Sequence, residues 1–140
     1  MTIKLDHIIV PAADKVAAAS LIAQLLGVPW SETCNVGPFS PVYVSDELTL
    51  DFAQSPESFT KGHFAFRVSP TDFNAILAHL EAAGIDYRST PLGPVDMRIN
   101  TNHGGRAVYW SEPDGHAWEV LTVSYARQPS GAAPTGALQN

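Results

Sequence analysis

The alternation of apolar and polar residues predicts short strands separated by two helices. Helical periodicity covers residues 14–26 and again 70–83. A glycine follows each segment, Gly27 or Gly84, and glycine is the usual residue just beyond a helix end. Ser69 is suited to cap the second helix, and Pro70 to occupy its first turn. Each predicted helix follows one strand and precedes others.

The same order of elements occurs twice. Strand patterns flank the first helix at 5–10, 41–45 and 47–53, and the second at 62–68, 96–100, 106–111 and 117–123. Nearly the same spacing separates His7 from His63 as separates Gly27 from Gly84. The register of the repeat therefore holds from strand to helix end. The pattern predicts two similar halves, each with a strand, a helix and two or three further strands.

Length and composition limit the possible classes. The chain has 140 residues, 45% of them hydrophobic and 16% charged, which fits one domain. We expect this domain to cover residues 1–126, with modules at about 1–55 and 60–126. Residues 127–140 are rich in Pro, Gly, Ala and Ser, and this composition predicts a disordered tail.

The same numbers argue against several partners and compartments. The formal net charge is -6 and no basic stripe is visible, so we expect no nucleic acid partner. No run of about 18 apolar residues exists and the N-terminus does not resemble a signal peptide, so we expect no membrane association. The single cysteine, Cys34, cannot form an internal disulfide. We interpret this as typical of a cytoplasmic protein.

Four strands carry a histidine or a carboxylate on one face. The four residues are His7, Asp51, His63 and Glu119. In the strands of Asp51, His63 and Glu119, alternation places the large apolar side chains on the opposite face. Glu119 lies between Ala117 and Leu121, where an ionised carboxylate is costly unless it is paired or binds a metal. Two histidines with one or two carboxylates could bind Zn, Fe, Mn, Ni or Co. We therefore predict a single divalent metal.

Three stretches resemble the glyoxalase/bleomycin resistance/extradiol dioxygenase superfamily, also called the vicinal oxygen chelate superfamily. They are LDHIIV, GHFAFRV and GGRAVYWSEPDGHAWEVLT. The resemblance implies two βαβββ modules that form a curved, open barrel-like mixed sheet, with helices on the outer face. It also implies a homodimer. The family's metal ligands fall on His7, His63 and Glu119, and Asp51 stands where a fourth ligand or a base is found.

The resemblance implies a metal-dependent enzyme that binds a small substrate through vicinal oxygens. The metal would act as a Lewis acid and stabilise an anionic intermediate. Both a glyoxalase-like lyase or isomerase and a small Fe(II) extradiol-type dioxygenase fit this description. Metal-free binding of a drug, as in bleomycin resistance proteins, is an alternative, although such proteins typically lack the ligand set.

Other polar residues are weaker candidates. His103 lies in a Gly-rich loop from which it could reach a substrate or transfer a proton. Arg67 and Arg98 could bind an anionic substrate group, or could form surface ion pairs. His116 follows a Pro-Asp-Gly turn and is off the Glu119 face, so we expect it to make a structural hydrogen bond.

Overall fold

The computed structural model of the protein describes residues 2–127. The predicted tail, apart from Arg127, lies outside the described residues. The first half consists of β1 (His7–Ala12), α1 (Lys15–Leu26), β2 (Phe39–Tyr43) and β3 (Thr49–Gln54). The second half consists of β4 (His63–Arg67), α2 (Pro70–Ala82), β5 (Tyr87–Arg88), β6 (Ala107–Ser111) and β7 (Ala117–Leu121).

The strands form two small mixed sheets. The first sheet has the order β1-β3-β2, and the second has the order β4-β7-β6-β5. In both sheets the first and last strands of the half are parallel neighbours, and the last strand pairs antiparallel with the strand before it. In the first sheet, Trp30 forms a single bridge to Val42 on β2. In the second sheet, β5 pairs with β6 at the equivalent edge. The predicted α+β fold with its internal repeat is confirmed.

One predicted strand is wrong. Within 96–100 only Asn100 forms a β-bridge, an isolated one to Ala107, and the additional strand of the second half is β5 instead. The Asp96 carboxylate accepts hydrogen bonds from the backbone N–H groups of Ser89 and Arg98. Met97 adopts a positive φ of 53°. These local bonds fold the segment into a turn, which competes with strand pairing.

The helices begin and end as their sequences indicate. The Asp14 side chain accepts a hydrogen bond from the backbone N–H of Ala17 and caps α1, and Ser69 caps α2 in the same way. Gly27 ends α1 in the left-handed region, with φ at 73°. Both helices pack against one face of the sheets, so the opposite face of each sheet is left for other contacts.

The two halves share one hydrophobic core between the helices and the sheets. Trp118 of the second sheet stacks near Phe52 of the first, with ring centroids 6.3 Å apart. Buried His116 also joins the halves, because its Nδ1 accepts from the Gly62 N–H and its Nε2 donates to the Pro11 carbonyl, both at 2.8 Å. The structural role predicted for His116 is therefore confirmed. None of the helices described is long and apolar enough to cross a membrane.

Candidate metal site

The second sheet brings His63 and Glu119 together on the face opposite the helices. The parallel pairing of β4 with β7 places Ala65 opposite Glu119, so His63 reaches the carboxylate past a small side chain. His63 Nε2 lies 3.0 Å from Glu119 Oε1. Glu119 is 0% exposed, whereas the His63 side chain is 43% exposed. The pair is buried on the carboxylate side and accessible from solvent on the imidazole side.

One oxygen of this buried carboxylate has no partner. Glu119 Oε2 accepts no hydrogen bond from any of the described residues. A buried oxygen without a partner costs about 1–3 kcal/mol, more when the group is charged. A cation would remove this cost. Imidazole nitrogen and carboxylate oxygen are also the donor types that Zn, Fe(II) and related metals bind, so the residues present fit a divalent metal.

Two tyrosines complete the surroundings of Glu119, and sequence reasoning missed both. The Tyr125 hydroxyl donates to Glu119 Oε1 at 2.8 Å, and the Tyr109 hydroxyl lies 3.4 Å from the Tyr125 hydroxyl. Burial raises the pKa of both phenols, and the nearby Glu119 charge raises them further. Both hydroxyls therefore remain protonated at neutral pH and can act as hydrogen-bond donors.

A pattern in the sequence could have identified only one of these tyrosines. Tyr109 is paired with Glu119 in the β6–β7 register, so its side chain lies on the same face. Alternation along β6 therefore could have placed Tyr109 on the Glu119 face. Tyr125 follows the last strand and returns over the sheet, which no periodic pattern predicts. His103 lies beside it, with ring centroids 5.0 Å apart.

The first sheet brings His7 and Asp51 to a separate cavity of about 300 Å³. His7 Nδ1 lies 2.7 Å from the carboxylate of the adjacent Asp6, and this hydrogen bond raises the pKa of His7. The His7 side chain is 58% exposed. Cys34 and Tyr43 line the same cavity. This half offers an accessible imidazole with two carboxylates nearby.

Within residues 2–127, no three His, Cys, Asp or Glu side chains converge on a common point. The predicted ligands thus fall into two sets on two sheets, His7 with Asp51 and His63 with Glu119. The full set of His7, His63 and Glu119 stays a prediction.

The predicted arginines are also separated. Arg67 lies on β4, on the same face as His63, whereas Arg98 lies in the turn next to Asp96. A role for either arginine in binding substrate stays a prediction, as does one for His103 in proton transfer.

Comparison with known proteins defines the class. No protein-family model matches the chain, and no curated protein matches it. Among solved structures, a glyoxalase/dioxygenase from Nostoc punctiforme is 21% identical, with 84% of this chain and 89% of that chain covered and a TM-score of 0.63. That match shows the fold; together with the two matches at 38% and 39% identity described next, it shows that the chain belongs to the vicinal oxygen chelate superfamily.

Two oxidases are more similar to this chain. Oxidase ChaP-H2 is 39% identical, with 89% of this chain and 97% of that chain covered and a TM-score of 0.82. Oxidase ChaP-H1 is 38% identical, with 89% and 98% covered and a TM-score of 0.80. The matched regions therefore include nearly the whole length of both relatives.

Proposed function

We propose that this protein is a metal-dependent enzyme that oxidises a small substrate bound through two neighbouring oxygens. The observation that carries this proposal is the buried Glu119 carboxylate, with one oxygen held by His63 and Tyr125 and the other without a partner. Oxidation, rather than isomerisation, is favoured because the relatives at 38% and 39% identity are named oxidases.

The metal site would be completed by a second copy of the chain. His63 and Glu119 supply two ligands, and a stable site with open positions needs a third. His7 is accessible on the other sheet, where leucine, isoleucine and tyrosine side chains are also exposed: Leu5, Ile9 and Tyr43. In a two-fold dimer, the first sheet of one copy can face the second sheet of the other. We therefore propose a homodimer. Each subunit has a single domain over residues 1–126, with modules at about 1–55 and 60–126.

A divalent metal bound by His7, His63 and Glu119 would supply Lewis-acid stabilisation of negative charge on the substrate oxygens. This set of two histidines and one carboxylate is also the one that non-haem Fe(II) oxygenases use. Fe(II) is accordingly our first choice among the candidate metals. Asp51 shares the His7 cavity and could accept a proton from a substrate hydroxyl or serve as a further ligand.

The chain's own residues hold this arrangement in place. Tyr125 fixes the rotamer of Glu119 by donating to Oε1, and Tyr109 supports Tyr125 from β6. Trp118 and Val120, which flank Glu119 on β7, are fully buried in the core and keep the strand in position. The carboxylate is thereby ordered before metal or substrate arrives.

Metal analysis combined with oxygen uptake tests the proposal. The protein loaded anaerobically with Fe(II) should bind one metal per chain and consume oxygen with catechols. Glu119→Gln should abolish both, whereas Glu57→Gln, which changes an exposed carboxylate on a loop, should leave both unchanged. The proposal fails if Glu119→Gln retains full metal content. It also fails if the metal-free protein binds an aromatic drug stoichiometrically, because that result supports a sequestering protein.

A further inference from the structure

A second cavity continues from the candidate metal site along the second sheet. It has a volume of about 350 Å³ and lies over β4 and β7, where Ala65, Arg67 and Leu121 form its floor. Ala65 and Leu121 are on the same face as Glu119. Residues 124–127, which follow the last strand, form its other wall. Tyr125 belongs to this wall and also contacts Glu119, so the cavity and the carboxylate share a boundary.

Two arginines line this cavity, Arg67 on the strand and Arg127 on the returning segment. Neither forms an ion pair with a carboxylate among the described residues. Two of the other three arginines hold backbone and side-chain groups in place, and the third, Arg98, lies outside the cavity in the turn next to Asp96. Arg88 donates to the Pro91 carbonyl and to Ser111, and Arg106 donates to Asn74 and the Pro70 carbonyl. Arg67 and Arg127 are available to bind a ligand.

The charge of this cavity differs from that of its neighbours. The cavity beside α1 contains three carboxylates, those of Asp14, Glu112 and Asp114, and the His7 cavity contains those of Asp6 and Asp51. The Arg67 cavity has two guanidinium groups and no carboxylate in its lining. In a chain with a formal net charge of -6, this is a local concentration of positive charge. Such a cavity attracts an anion.

We propose that this cavity binds a carboxylate carried by the substrate, at the end remote from its two chelating oxygens. The inference rests on the proposed function, because it places those oxygens at His63 and Glu119. His63 and Arg67 are four positions apart on an extended strand, which is about 13 Å between Cα atoms. The long arginine side chain can cover part of this distance, so we place the substrate carboxylate several bonds from the two chelating oxygens. The planar guanidinium binds carboxylates in a bidentate manner.

A pair of probes that differ in one charge tests this inference. The probes are 3-(3,4-dihydroxyphenyl)propanoate and its methyl ester, titrated calorimetrically into protein loaded with Zn²⁺ so that no turnover occurs. The acid should bind at least tenfold more tightly than the ester. Arg67→Gln and, separately, Arg127→Gln should reduce this preference at least threefold while leaving ester affinity unchanged. Arg67→Lys should retain part of the preference. Lys15→Gln removes a positive charge from the helix side and should have no effect.

The outcomes separate this inference from the proposed function. Metal-dependent binding of both probes with equal affinity overturns the carboxylate site and leaves the proposed function intact. An acid preference that survives both arginine substitutions also overturns it. If neither probe requires metal for binding, the proposed function fails and this inference fails with it. Thermal unfolding of each variant shows whether the protein is folded. If Arg67→Gln does not fold, the acid preference of Arg67→Lys is compared with that of the wild type instead.

Discussion

The two sheets carry equivalent residues in very different surroundings. In the first, the Asp51 carboxylate is half-buried in the cavity that it shares with His7, and the His7 imidazole contacts Asp6 instead. In the second, Glu119 is 0% exposed and is held by His63 and Tyr125. The sequence repeat places both sets at matching positions, but only the second half surrounds its carboxylate with fixed partners. We infer that the second half binds the metal first and that the first half completes the site.

The segment that follows β7 explains this difference. Asp51 on β3 and Glu119 on β7 are both carried by inner strands, and His7 on β1 and His63 on β4 are both carried by edge strands. Residues 124–127 return over the face of β4 and β7, and Tyr125 within them donates to Glu119. An inner strand with such a covering segment can bury a carboxylate, whereas an edge strand presents its side chains to solvent or to another chain.

The largest effect is expected from Glu119→Gln, which removes a charge from the ordered half. Metal affinity should fall more than about a hundredfold, because loss of a ligand exceeds the tenfold to hundredfold typical of residues that only orient ligands. The metal-free variant should be at least as stable as the metal-free wild type, because a buried carboxylate with an unpartnered oxygen is replaced by a neutral amide whose oxygen can still accept from Tyr125. Isothermal titration with Zn²⁺ and thermal unfolding without metal measure the two effects. A destabilised metal-free variant with normal metal affinity would assign Glu119 a purely structural role.

His7→Ala tests the exposed half. Metal affinity should fall by about a hundredfold. The midpoint of thermal unfolding without metal should change little, because the His7 side chain is more than half exposed. The matched variant is His79→Ala, which removes a histidine on α2 that bonds the Leu25 carbonyl. His79→Ala should lower stability and leave metal affinity unchanged. The reverse pattern in the two variants would remove His7 from the ligand set.

A smaller effect is expected from Tyr125→Phe, which keeps the ring and deletes the hydrogen bond to Glu119. Metal affinity should fall by about tenfold to a hundredfold, as for other groups that orient a ligand. Tyr109→Phe should have less effect, because its hydroxyl is 3.4 Å from that of Tyr125 and acts on the carboxylate only indirectly. Equal losses in both variants, measured by competition with a metal chelator, would contradict this order.

The smallest effect concerns Glu112, a carboxylate on the helix side that is 7% exposed and also has an unpartnered oxygen. Burial raises the pKa of Glu112 above the ordinary value of 4.5 for a glutamate side chain. The folded state therefore binds this proton more tightly, and the contribution to stability is present below pH 4.5 and is lost as the pH rises through the folded pKa. Denaturant unfolding at pH 4 and pH 7 should show that Glu112→Gln gains on the order of 1 kcal/mol at the higher pH. Metal affinity should not change. If Glu112→Gln instead gained stability at pH 4, the direction assigned to the pKa shift of Glu112 would be wrong.

Local patterns predicted the fold well where local rules decide it. The cap at Ser69 and the helix end at Gly27 follow from residue type and periodicity. The wrong strand at 96–100 looked extended by composition, but the Asp96 side chain binds the nearby backbone and forms a turn. The carboxylate competes with strand pairing there, and alternation of apolar residues carries no information about this competition.

For the candidate site, the sequence predicted which strand face each residue occupies but not which strands lie together. Alternation placed His63 and Glu119 on one face, and the structure brings them within 3.0 Å. It could not show that His7 lies on a different sheet, because strand pairing between sheets depends on the tertiary arrangement. It also could not reveal Tyr125, because a segment that returns over a sheet follows no period.

Complementation between two defective chains is the most direct test of a shared metal site. His7→Ala and Glu119→Gln chains with different tags would be co-expressed, and the doubly tagged dimer would be isolated and titrated with metal. A mixed dimer should bind one metal at wild-type affinity, because one of its two sites receives His7 from one chain and His63 with Glu119 from the other. Neither parent dimer should bind metal at that affinity. If the mixed dimer binds no better than its parents, the ligands do not come from two copies and the account is wrong.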